Sequence, residues 1–224
     1  MTELSVSSST STTASTSMAN DLTVIIDTGC ANLSSVRFAF ERLNANVIVS
    51  ADFDVIRSAA RVVLPGVGTA GAAMDALKQK NLVELIKSLT QPVMGVCLGM
   101  QMLASLSNEH GGRSEQSITC LGLVPTDIGD LDSKGLPLPH MGWNQIEVSD
   151  HPLFVGIENG SYVYFVHSYR APISEYTLAR STYGESFSAA IGKGNFFGVQ
   201  FHPEKSAKVG AKILQNFLNM GTPQ

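Results

Sequence analysis

Apolar and polar residues follow two different rhythms along this chain. Residues 22–27 form an apolar run rich in β-branched side chains, the pattern of a strand buried on both faces. After a break at residues 28–31, Leu33, Val36, Phe40 and Leu43 recur at helical spacing, which predicts a helix over 32–43. Strand, loop and helix make a first α/β unit. Residues 47–49 predict a second strand and 61–64 a third, which stops at Pro65, Gly66, Val67 and Gly68. Helices are expected over 70–80 and 82–89, then a strand over 93–96 that ends on Cys97, then good helix formers over 100–106. Strands alternating with helices imply a parallel sheet with right-handed crossovers, whose ligands gather at the carboxyl ends of the strands. The Pro65 loop and Cys97 both lie at such ends.

Beyond Gly111 the rhythm changes. Gly, Pro and Asp are scattered as far as Pro139, and strand-like segments follow at 143–148, 162–169, 176–182, 188–191 and 196–201, with a hairpin turn expected at 191–195. The last element is a helix over 207–220, with Val209, Ile213, Leu214, Phe217 and Leu218 on one face. The fold class expected is α/β: a mostly parallel central sheet flanked by helices, with a β-rich C-terminal half, in one domain over 21–224. Residues 1–20 differ from all this. Ser and Thr dominate there and nothing could build a core, so a disordered leader is expected. It lacks the Arg residues of a transit peptide, and Met18 is an alternative start.

Composition narrows the function. A length of 224 residues suffices for one α/β domain with its own core. The three cysteines, Cys30, Cys97 and Cys120, are widely spaced and form no Cys-x-x-Cys pair, which fits a reducing cytoplasm and speaks against zinc. No metal and no cofactor are expected. The net charge is −4 with 15% charged residues and no basic run, so a nucleic-acid surface has no support. No apolar run approaches the ~20 residues that span a bilayer, so no membrane partner is expected.

Chemistry concentrates at Cys97. An apolar strand runs into it and helix formers leave it, with Gly95 and Gly99 on either side where strand and helix crowd each other. A nucleophile elbow has this layout, and it puts the thiol at a helix N-terminus that favours thiolate. A buried structural cysteine is the competing reading. A nucleophile needs a base, and His110, His140, His151, His167 and His202 are the candidates. His202 stands out because it ends an apolar strand, with Pro203 fixing the direction of the chain before Glu204. His167, inside an apolar strand, reads as a core histidine.

Cys97, Leu98, Gly99, Met100 and Gln101, together with His202, Pro203 and Glu204, resemble the class I, triad-type glutamine amidotransferases, and the resemblance runs from Leu22 to Met220. Pro139, His140, Met141, Gly142, Trp143 and Asn144, with Pro65 to Gly68, are similar to the branch formed by glutaminase subunits of imidazole glycerol phosphate synthases. The resemblance implies Cys97 as nucleophile, His202 as base and Glu204 as its orienter. It implies oxyanion donors from Leu98 and from the loop of Gly66, Val67 and Gly68, and glutamine recognition by Gln101, Glu109, Ser168 and Tyr169. A (β/α)8-barrel cyclase subunit is the implied partner, with Tyr164 and Lys205 on the docking face as a gate. Ala31 departs from the pattern, standing where relatives carry a second glycine. Trp143 has two readings: a core aromatic, or an interface anchor of the kind that concentrates binding energy. The competing functions are a stand-alone γ-glutamyl hydrolase, a glutaminase of another amidotransferase and a silent binding subunit.

Overall fold

A computed structural model describes residues 21–29, 33–66, 68–109 and 117–220. The expected leader, Cys30, Ala31, Val67 and His110 lie outside the described residues. Nine strands form one sheet in the order β2 (Val47–Ser50), β1 (Thr23–Ile26), β3 (Arg61–Leu64), β4 (Val93–Val96), β13 (Phe196–Val199), β12 (Glu185–Lys193), β11 (Thr177–Tyr183), β8 (His140–Val148) and β9 (Ser161–His167). The first five are parallel and the remainder antiparallel.

Apart from the edge strand β2, where Ile48 is exposed, the parallel half buries both faces, which is why those strands read as unbroken apolar runs. Val24, Val62, Leu64 and Val93 pack with Ile56, Met74, Leu77 and Ile86 of the helices Phe53–Ser58, Ala70–Gln79 and Leu82–Lys87. Ile25, Val63, Met94 and Val96 turn the other way, onto Phe40 of helix Leu33–Glu41 and Phe217 of helix Ala207–Asn219. The result is three layers, helix on sheet on helix.

Several boundaries differ from those expected. Helix Phe53–Ser58 is too short for a periodic signal, although its N-cap can be read: Asp52 accepts from Asp54 N and Val55 N at 3.0 Å each. The helix expected over 100–106 occupies Leu98–Met102, because Leu106–Ser107 leaves it to pair as strand β5 with Ile118–Thr119 (β6) and Asp127–Asp130 (β7). These strands, with Tyr169–Arg170 (β10), make a second small sheet in a region whose sequence reads as irregular. The strand expected over 162–169 therefore divides at Ser168, where the chain passes from one sheet to the other. Trp143 lies inside β8, which begins at His140, and β12 exceeds its expected core by several residues because it pairs on both edges.

Three adjoining parallel strands end side by side. Leu64 is level with Gly95, and Val199 with Val96, so the Pro65 loop, Cys97 and Gln200 emerge together at one edge. The contact is close at two glycines. A Cβ on Gly66 would lie 2.4 Å from Gly99 N, and one on Gly99 would lie 1.9 Å from the Leu64 carbonyl oxygen. The antiparallel half curls back over this edge, since Tyr164 O of β9 accepts from His202 N at 2.8 Å. Gly99→Ala is expected to lower the urea midpoint by the equivalent of ~3 kcal/mol, because the clash is with backbone that cannot step aside. An unchanged midpoint would contradict this packing.

Candidate active site

Cys97 sits at the strand-to-helix junction with φ 52° and ψ −112°, a conformation that non-glycine residues seldom adopt and that the surrounding structure must hold. Two backbone bonds do so: Cys97 N donates to Val199 O at 2.8 Å, and Cys97 O accepts from Gln101 N at 3.2 Å. The sulfur is half-buried. Gln200 Nε2 lies 3.7 Å from Sγ, and Sγ lies 3.9 Å from Val166 O. Cys120 is the contrasting case, a buried thiol pushed up to about 12 by burial and hence inert. Cys120 is buried in the core, whereas Cys97 is half-buried at the strand end.

His202 and Glu204 are neighbours because the short 3-10 turn Pro203–Lys205 folds the carboxylate back onto the ring. His202 Nδ1 lies 2.8 Å from Glu204 Oε1, and the carboxylate, an acceptor only, fixes the proton on Nδ1. The backbone at His202 is clamped as well. His202 O accepts from Ser206 Oγ at 2.6 Å, and Ser206 Oγ accepts from Tyr164 N at 2.9 Å. Glu204's side chain is only 3% exposed. Nε2 is buried and closes no hydrogen bond among the described residues, so its interaction with Cys97 is a near approach and not a formed bond. Burial alone would push the ring's pKa down. The nearby Cys97 sulfur, with the carboxylate of Glu204, outweighs it and pushes His202 up to about 10.

The other expected residues fall around this pair. Gly66 packs on the peptide between Leu98 and Gly99, so the loop and the first turn after Cys97 form one surface; Gly68 has φ +90°, and Val67 is outside the described residues. Gln101 is buried, its Nε2 donating to Tyr169 O at 3.2 Å and to Gln200 Oε1 at 2.8 Å, so that end of the amide is turned inward and not toward the mouth. Glu109 Oε2 accepts from Ala70 N at 3.1 Å, which ties it to the helix that follows the Pro65 loop; burial raises its pKa against that bond. Ser168 O accepts from Leu131 N at 2.9 Å. His167 is a buried core histidine, pushed down to about 3 chiefly by burial. His151 is occupied differently, its Nδ1 accepting from Leu153 N at 3.2 Å.

Trp143 is 52% exposed, which removes the core reading. It stands opposite Tyr164 across β8 and β9, with ring centroids 6.1 Å apart, and Lys205 Nζ lies 5.8 Å from the centre of the Tyr164 ring. Gln200 is the site residue that sequence reading missed. It is fully buried and level with Cys97 on the neighbouring strand, and the available signal was a polar residue inside the apolar run of 196–201. Among the described residues no group of three or more His, Cys, Asp or Glu could hold a metal ion, and no helix is long and apolar enough to cross a membrane.

The raised pKa of His202 has a definite sign. Its contribution to stability is fully present below pH 6.5 and is lost as pH rises through about 10. Nuclear magnetic resonance of the imidazole is expected to show His202 still protonated at neutral pH, with Cys97→Ser lowering its midpoint. A wild-type midpoint at or below 6.5 would contradict the pairing.

The family model "Glutamine amidotransferase class-I" matches residues 24–220. A protein of Shewanella sediminis described as imidazole glycerol phosphate synthase subunit HisH is 68% identical over 200 residues, covering 89% of this chain and 91% of that protein. The Vibrio cholerae protein of the same description is 53% identical over 198 residues, covering 88% and 98%. Among solved structures, a glutamine amidotransferase from Thermotoga maritima matches with a TM-score of 0.57 at 20% identity, covering 88% of this chain and 82% of that one, and a further glutamine amidotransferase matches with a TM-score of 0.66 at 16% identity, covering 88% and 98%. The chain belongs to the class-I glutamine amidotransferases and, within them, to the family of imidazole glycerol phosphate synthase subunit HisH.

Proposed function

We propose that this chain hydrolyses glutamine to glutamate and ammonia and passes the ammonia to the cyclase subunit of imidazole glycerol phosphate synthase, in histidine biosynthesis. One observation carries the chemistry: an imidazole oriented by a carboxylate at 2.8 Å emerges beside a strained cysteine from the neighbouring parallel strand. In the reading we favour, Cys97 sulfur attacks the δ-carbon of glutamine and its proton resides on His202 Nε2. The amide oxygen becomes an oxyanion, met by the Leu98 N–H and by backbone N–H groups of the Gly66, Val67 and Gly68 loop. His202 then returns the proton to the departing nitrogen, which leaves as ammonia, and a thioester remains on Cys97. Water, deprotonated by His202, releases glutamate and restores the thiol. Gln101, Glu109, Ser168 and Tyr169 are assigned to the amino-acid portion of the substrate.

Ammonia must reach its acceptor without escaping or being protonated, so the mouth requires a seal. The exposed face of β8 and β9 supports that role. Met141, Trp143 and Tyr162 are 65%, 52% and 53% exposed, an apolar strip that a lone subunit would leave in water. Val166, opposite Met141 in this pair of strands, has its backbone carbonyl 3.9 Å from the sulfur, so the strands that bear the strip also border the reacting atom. We assign the strip to a (β/α)8-barrel cyclase subunit that makes imidazole glycerol phosphate and aminoimidazole carboxamide ribotide, with Trp143 as anchor and Tyr164 and Lys205 as gate. The cytoplasm is the compartment that suits its free thiol.

Cys97→Ser in the assembled complex is expected to abolish glutamine-dependent synthesis while sparing synthesis from added ammonia. Retention of glutaminase activity within about tenfold of wild type would remove Cys97 as the nucleophile. Trp143→Ala is expected to weaken association with the cyclase subunit by ~2 kcal/mol, about thirtyfold in Kd, with the circular dichroism of the free protein unchanged. Calorimetric titration decides this, and unchanged affinity would take Trp143 out of the interface.

A further inference from the structure

A continuous file of hydrogen bonds, buried at its His140–His167 and Gln101–Gln200 links, runs from strand β8 to the sulfur, and glutamine hydrolysis makes no use of its middle members. Asn144 Nδ2, next to Trp143, lies 3.3 Å from His140 Nε2; His140 Nδ1 lies 3.0 Å from His167 Nε2; His167 Nδ1 lies 2.8 Å from the Tyr169 carbonyl oxygen. That oxygen also accepts from Gln101 Nε2 at 3.2 Å, Gln101 Nε2 donates onward to Gln200 Oε1 at 2.8 Å, and Gln200 Nε2 stands 3.7 Å from Cys97 Sγ. Packing holds the two rings in place. His140 is stacked between Tyr183 and Phe165, at centroid distances of 4.1 and 4.8 Å, and His167 packs on Phe187 at 5.0 Å.

The protons in this file have a single solution. A carbonyl oxygen only accepts, so His167 carries its proton on Nδ1 and, being neutral, must accept at Nε2. His140 must then donate from Nδ1 and accept at Nε2, where the Asn144 amide donates. Asn144 cannot reverse, because its nitrogen also donates to Thr182 O at 2.9 Å and its oxygen accepts from Gln145 N at 2.8 Å. Burial keeps both rings neutral, His140 pushed down to about 4 and His167 to about 3. Reversing the link between the two rings would set two lone pairs or two protons against each other in a buried site, where the penalty is large.

We infer that Asn144, His140, His167 and Gln200 are positioning residues that fix Gln101 and the Cys97 sulfur to the seating of the docking strand. The inference rests on the proposed function for the identity of that strand and for the role of Gln101. A partner that presses on Trp143 moves the residue beside Asn144, and the file carries that seating through the Tyr169 carbonyl to both ends of the nucleophile's surroundings. Apolar packing fixes distance but not direction. Directed hydrogen bonds fix both.

The test begins on the wild-type protein with 15N-labelled histidine. Both His140 and His167 are expected as neutral Nδ1–H tautomers at neutral pH, and Asn144→Asp, whose carboxylate only accepts, is expected to raise the midpoint of His140 by drawing a second proton to Nε2 while Nδ1–H still donates to His167. An Nε2 proton on either ring in the wild type overturns the inference, whatever the variants do. In the complex with the cyclase subunit, His140→Phe keeps the stacking and removes the link, and Gln200→Met removes the last one. Each is expected to lower partner-stimulated kcat for glutamine by about tenfold, while ammonia-driven synthesis and affinity for the cyclase partner stay at wild-type values. A folded, complex-forming variant that keeps its stimulated kcat overturns the inference, as does one that loses glutamine-driven and ammonia-driven synthesis equally. Wild-type glutaminase indifferent to the cyclase partner would instead count against the proposed function, and the tautomers alone would then decide the proton path.

Discussion

The contact on which this structure depends is between two pieces of backbone. The loop after β3 lies directly on the first turn after β4, at the distances that only Gly66 and Gly99 allow. With both in place the chain has no room to relax at Cys97, which is held at φ 52° between a strand bond to Val199 and a helical bond from Gln101. Strain of this kind persists only where neighbours over-determine it. Here the neighbours are the loop, the adjoining strand β13 and the helix. They also bring Gly66, the imidazole of His202 and the amide of Gln200 to the same edge. Parallel pairing does this at no further cost, since strands in one direction end together.

Buried histidines in this protein follow opposite courses, and their partners explain it. His202 meets a carboxylate at Nδ1 and a cysteine beyond Nε2, two groups that favour the charged ring, and it is pushed up to about 10 against its own burial. His167 meets a carbonyl oxygen and another imidazole, which do not offset the loss of water, and it is pushed down to about 3. One fold thereby favours the charged form of one buried ring and the neutral form of two others.

Much of this was legible in the sequence where causes are local. The inner parallel strands β1, β3, β4 and β13 bury both faces and announce themselves as apolar runs. His202 and Glu204 are two residues apart, and the glycines beside Cys97 are adjacent to what they permit. Distance along the chain hid the rest. Gln101, in the helix after Cys97, meets Gln200 just beyond β13, and His140 meets His167 across β8 and β9; no periodicity reports a hydrogen bond between separate elements. Trp143 was ambiguous because alternation in β8 names two faces without saying which is wet. The strands at Leu106–Ser107 and Ile118–Thr119 are two residues each, below the length at which a pattern exists.

The central claim is that this edge makes Cys97, and no other described cysteine, the nucleophile toward glutamine. Incubating the complex with a glutamine analogue that carries an electrophilic ketone in place of the amide, followed by intact-mass and peptide mass spectrometry, addresses it directly. The account predicts one covalent adduct, on the peptide that contains Cys97, formed faster with the cyclase partner present and blocked by glutamine. An adduct on Cys120 instead, or no adduct while glutamine is still hydrolysed, would contradict it.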